Sequence, residues 1–177
     1  MFKFYYLYFM MYSVIGWLYE VFLEVVVYKW GFSDRGILTG PYCPVYGVGA
    51  LFFIFLVYPL IKKKKLSKKL IMIPVVFVLC MVVATMIELV ASYLCEFIMG
   101  SWPWQTYVDY KYNFQGRIAL SPSIRFGLGG VLFLYILQPL FEKLVGKLPK
   151  SKLNIVFYIV IFVFIIDIIW FIINIFV

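Results

Sequence analysis

KKKKLSKK, residues 62–69, places six lysines between two apolar runs, and its reading decides the fold. The runs on either side extend over about 45–61 and 70–99, and comparable ones cover about 2–28, 116–141 and 153–177. A helix needs about 20 apolar residues to cross the hydrocarbon core; four of the runs exceed that and the one at 45–61 sits near the lower limit. A second lysine-rich linker, Glu142 to Lys152, follows two runs later, so the two lysine segments share one side of the membrane. The positive-inside rule makes that side the cytoplasm. The expected architecture is all-α: a polytopic membrane helical bundle of about five transmembrane helices, forming one membrane domain over residues 1–177. Its N-terminus is inside, its C-terminus outside, and two specialised loops near 29–44 and 100–115 face outward.

Composition agrees. The 177 residues are 66% hydrophobic and only 14% charged, whereas a soluble domain is nearer half apolar and a quarter charged. The net charge of +8 does not point to nucleic acid, because thirteen of the sixteen basic residues are lysines concentrated in two short loops. Such clusters anchor a chain beside anionic lipid. The partner expected first is therefore the lipid bilayer, and the expected location is a bacterial plasma membrane, crossed several times. There is no histidine, and the three cysteines form no CxxC pair, so neither a metal nor another cofactor is expected. Cys43 and Cys95 both fall near the outer face, where a disulfide between them is geometrically conceivable.

The first outer loop reads RGILTGPYCPVYG, Arg35 to Gly47. Three glycines and two prolines in thirteen residues are more backbone specialists than a simple connector needs. At about 1.5 Å rise per residue, Glu20 and Glu88 lie roughly 27 Å along their helices, in the outer half of the membrane, with Glu24 and Glu96 higher. All three arginines, Arg35, Arg117 and Arg125, fall at the same level. A carboxylate inside a bilayer is costly, so such residues face the bundle interior and pair or function. Arginine suits them because its planar fork binds a carboxylate or phosphate and stays charged when desolvated.

Two readings stay open. The acids and arginines pair to lock the helices, or the same network also frames an outward cavity for a polar or ionic ligand. The second is favoured because buried ion pairs stabilise poorly compared with apolar packing. The ligand-binding residues expected are Glu20, Glu24, Arg35, Glu88, Glu96 and Arg117, with Asp109 and Asn113 reaching from the second loop toward the first. Asp167, the acid of the last run, either caps the cavity or hydrogen-bonds to another helix. Trp102, Trp104, Tyr107, Tyr110 and Tyr112 read mainly as an aromatic belt at the interface.

GWLYE (Gly16 to Glu20), RGILTGPYCPVYGVGAL (Arg35 to Leu51), the intervening Glu88 and VDYKYNFQGRIAL (Val108 to Leu120) resemble the bacterial family labelled putative ABC-transporter type IV, or CmpB-like. The resemblance covers roughly Met10 to Gly130, and GPYCPVYG is its most specific part. The segment from Asp109 to Phe114 lacks the serine and proline of the family pattern, and Arg125 stands where an uncharged aromatic is more usual. The resemblance implies a permease-type membrane protein. No GxxxxGK[ST] motif occurs in the chain, so ATP hydrolysis by the P-loop route would need a separate ATPase subunit; a homo-oligomer is also compatible. The functional expectation is transport of a small solute. An enzyme acting on a lipid-linked substrate at the outer leaflet, or an accessory and assembly subunit, are the alternatives, and the reading leans away from an enzyme.

Overall fold

The computed structural model of the protein describes residues 2–33 and 36–176. Its helices are α1 (Phe2–Tyr28), α2 (Pro44–Val57), the short α3 (Pro59–Lys62) and α4 (Leu66–Ile71), α5 (Ile73–Met99), α6 (Leu120–Gly146) and α7 (Lys150–Phe176). The only strands among the described residues are β1 (Asn113–Phe114) and β2 (Ile118–Ala119). Helices α1, α5, α6 and α7 are long and apolar enough to cross a membrane, while α2 is shorter. Wider π-helical turns end α1 at Leu23–Tyr28 and α2 at Phe53–Val57 and interrupt α6 at Phe133–Leu137. The chain divides into two compact units, residues 1–51 with 143–177, and residues 52–142.

In the first unit α1 and α7 lie side by side and run in the same direction. Lys3 donates to Asn154 Oδ1 at 2.7 Å, Tyr6 meets Phe157 edge-on at 5.3 Å, and Phe9 meets Phe164 at 5.7 Å. The partners ascend together, which only a parallel pair can give. Edge-to-face rings of this kind add modestly to the area they bury.

The segment after α1 turns back along it. Lys29 adopts a left-handed conformation (φ 57°) that ends the helix. Ser33 then bonds to Glu24, Phe32 packs on Trp17, and the Cys43 N–H donates to the Ser13 carbonyl at 2.9 Å. Leu38 and Tyr42 are buried on Met10, together with Val14 and Phe164. The glycine-proline segment thus descends to the middle of α1 and does not stay at its end. Helix α2 starts there, with Gly47 pressed on Ser13 and Phe9 of α1, where a Cβ would overlap both.

The second unit is an antiparallel hairpin of α5 and α6. Tyr135 bonds to the Lys69 carbonyl at one end, Thr85 to Ser123 near the middle, and Arg117, just before α6, to Ser92 at the other. Gly127 faces Phe77 and Gly130 faces Cys80 with no room for a Cβ. Small residues at such crossings let membrane helices approach closely.

Two boundaries differ from the sequence reading. The helix expected from 116 begins at Leu120, because Asn113–Ala119 form a hairpin with Asn113 opposite Ala119. Gln115 (φ 55°) and Gly116 (φ 63°) both take positive φ at the centre of the turn that Arg117 N–H closes on the Phe114 carbonyl at 3.0 Å; positive φ at both central residues of a hairpin turn matches the twist of the paired strands. The lysine linker from 142 to 152 is mostly helical, since α6 runs to Gly146 and α7 starts at Lys150.

Candidate functional site

The first unit holds its acids on residues that follow α1: Ser33, the unwound segment 36–43 and Tyr46 at the start of α2. Asp167 of α7 is buried and accepts from Thr39 N–H at 3.2 Å, Gly40 N–H at 2.9 Å and the Tyr42 hydroxyl. A buried backbone N–H needs an acceptor within the protein, and Asp167 supplies it for two of them. Glu20, half-buried, accepts from the Tyr46 hydroxyl. Glu24 is buried and takes both the N–H and the hydroxyl of Ser33, at 3.1 and 2.6 Å. Arg35 lies outside the described residues.

In the second unit Glu88 is buried and accepts from the Tyr107 hydroxyl at 2.9 Å. Arg117 and Glu96 come together at 2.5 Å. The Arg117 guanidinium lies between the rings of Tyr93 and Trp102, 4.1 Å from each, and its side chain is 9% exposed against 43% for Glu96. This places the arginine in a sealed aromatic slot and leaves its carboxylate at the rim.

Asn113 donates to the Val108 and Tyr110 carbonyls and accepts from Gly116 N–H, so its amide staples its own hairpin. Asp109 is exposed. Trp102 and Trp104, expected as belt residues, donate their indole N–H groups to the Gly116 and Arg117 carbonyls. Cys43, Cys80 and Cys95 are free thiols, so no disulfide joins the first and third.

Charge suggests arginine as the partner of Glu20, Glu24, Glu88 and Glu96, and Glu96 meets Arg117. Glu20, Glu88 and Asp167 each accept from a tyrosine hydroxyl, and Tyr58 makes the same contact to Glu142 at 3.3 Å, where Lys62 also pairs at 2.7 Å. A neutral hydroxyl is far less costly to desolvate than a guanidinium. The one available signal was the tyrosine within each glycine- or proline-bearing segment, Tyr42 and Tyr46 after Gly40 and Tyr107 after Pro103.

Long apolar helices with acids held internally by hydroxyls and by unwound backbone define a multi-pass membrane protein. Residues 7–172 match the family described as putative ABC-transporter type IV, and the chain belongs to that family. Neither the comparison with curated proteins nor that with solved structures gives a match.

Proposed function

We propose that the protein is the membrane-embedded part of a transporter for a small polar or ionic solute, of the permease type that its family description suggests. The observation that carries this reading is the unwound segment 36–43 lying against the middle of α1, with its N–H groups on Asp167 and on the Ser13 carbonyl. Non-helical backbone at membrane depth is tolerated where protein or a cavity surrounds it, and broken spans of this kind recur at the substrate sites of transporters.

In this reading the chain crosses the plasma membrane of a bacterium five times, as one membrane domain, with N-terminus inside and C-terminus outside. The parallel pairing of α1 with α7 supports that count, because four crossings would set them antiparallel. Pro44 to Lys62 is nearly continuous helix, Tyr58 at the joint also being in the helical region. That run is about 28 Å long, and with the re-entrant segment it makes a fifth crossing. Glu20 and Glu88 are the carboxylates that meet the solute, each oriented by the tyrosine hydroxyl it accepts from, Tyr46 and Tyr107. Glu24 and Glu96 orient the chain around them, Arg117 keeps the second outer segment in place, and Arg35 supplies a counter-charge. Asp109 and Asn113 belong to the entrance. ATP hydrolysis falls to a separate ATPase subunit.

The test uses membrane vesicles containing the protein with any ATPase that co-purifies, energised with ATP and offered a panel of polar and ionic solutes. Uptake of at least one solute is expected, reduced about tenfold by Glu88→Gln, the loss that follows from removing one charge-assisted hydrogen bond. Accumulation equal to that of protein-free vesicles for every solute would defeat the reading.

A further inference from the structure

The second unit carries a cleft of about 310 Å³ that none of the residues above uses. Its walls are Tyr110, Lys111 and Tyr112 from the segment before β1, and Leu120, Ile124 and Arg125 from the start of α6, with Ser121 between them. The volume lies at the lower end of the range for small-ligand sites. Among the described residues two cations line it and no acid does.

Arg125 Nη2 donates to the Tyr110 hydroxyl at 3.2 Å, and Tyr110 packs edge-on against Tyr107 at 5.5 Å. Lys111 Nζ sits 5.4 Å from the centroid of the Tyr112 ring. The arginine side of the cleft is therefore braced by the aromatic cluster that also holds Glu88, while the lysine side is exposed.

What leads away from the cleft identifies its occupant. Leu120 and Ile124 begin a row that continues through Leu128, Leu132 and Ile136, every fourth residue of α6, and all are exposed. Residues four apart are neighbours on a helix surface, and such a row forms a ridge that winds slowly around the axis. From Ile124 to Ile136 the row covers about 18 Å, close to one leaflet of a hydrocarbon core about 30 Å thick. Two cations and hydroxyls at the head of an apolar track of leaflet length match one chemistry: a phosphate joined to an acyl chain.

We propose that this cleft is a binding site for an anionic phospholipid. Arg125 and Lys111 hold the headgroup phosphate, the guanidinium fork matching its oxygens. Ser121 and Tyr112 flank the glycerol region, and the Ile124–Leu128–Leu132 row takes an acyl chain. A zwitterionic lipid would bring its own cation into a site that already has two, so phosphatidylglycerol is preferred over phosphatidylcholine.

The test is native mass spectrometry of the whole protein in detergent, titrated with phosphatidylglycerol, phosphatidylcholine, a diacylglycerol of the same chains and inorganic phosphate. One phosphatidylglycerol should bind ahead of phosphatidylcholine, diacylglycerol should not compete, and excess inorganic phosphate should not displace the lipid. Lys111→Gln and Arg125→Gln should each weaken binding about fivefold, the effect of removing one cation beside anionic lipid. Should Arg125→Gln fail to fold, Lys111→Gln decides alone, because Lys111 is exposed. Unchanged affinity in Lys111→Gln, or equal retention of diacylglycerol, would overturn the proposal. Inorganic phosphate binding as tightly as the lipid would also overturn it, by making the cleft a free-anion site.

Discussion

Replacing Asp167 with asparagine separates the anchoring of the re-entrant segment from its apolar packing. One carboxylate oxygen takes Thr39 N–H at 3.2 Å; the other takes both Gly40 N–H and the Tyr42 hydroxyl. The amide can keep the second oxygen where it is, but its NH₂ then faces the Thr39 N–H. One charge-assisted hydrogen bond is lost and two donors confront each other, a cost of about 2 kcal/mol. For a chain of this length that lowers the melting temperature by roughly 4–8 °C. Asp167→Ala removes both acceptor oxygens, and with them all three hydrogen bonds, and costs at least twice as much. The assay is thermal unfolding in detergent, combined with maleimide labelling read by mass spectrometry at Cys43, which follows Tyr42 directly and is buried. Faster labelling of Cys43 in Asp167→Asn is expected, because the segment bearing it is released. A melting temperature within a degree of wild type and an inert Cys43 would refute the anchoring argument.

Arg117 and Glu96 should respond unequally although they form one ion pair. Arg117→Ala empties a slot between two rings and should cost about 2–3 kcal/mol, whereas Glu96→Gln, at a partly exposed rim, should cost under about 1 kcal/mol; equal losses by chemical unfolding would contradict the sandwich. Two glycines of α2 give a matched pair. Gly47→Ala drives a Cβ into Ser13 and Phe9 and should destabilise by about 1–3 kcal/mol, while Gly49, with open space around it, should tolerate alanine or gain several tenths of a kcal/mol; equal melting temperatures would count against the close crossing of α1 and α2.

The apolar runs and lysine clusters made the helical elements legible. The first run, expected over 2–28, is α1 itself, and the run ending at Met99 stops where Gly100 (φ 77°) caps α5. The hairpin at 113–119 was not legible because its strands are two residues each and its turn puts Gln115, a residue with no preference for positive φ, in the left-handed region. The depth of residues 36–43 was hidden for a different reason. Its burial depends on Asp167, which stands 127 residues beyond Gly40, and no local pattern carries such a partnership. The buried acids were visible as acids, but their tyrosine partners belong to a residue type that interfaces normally absorb. Arg117 with Glu96 was the pairing that charge alone could announce.

In the proposed topology α2 and the re-entrant segment together make a crossing, in keeping with α1 and α7 running the same way. Reporter fusions at the two ends of the full chain measure this directly, using one reporter active only in the cytoplasm and one active only outside it. The N-terminal fusion should report the cytoplasm and the C-terminal fusion the exterior, five crossings in all. Both ends on the same face would mean an even number of crossings and would contradict the account.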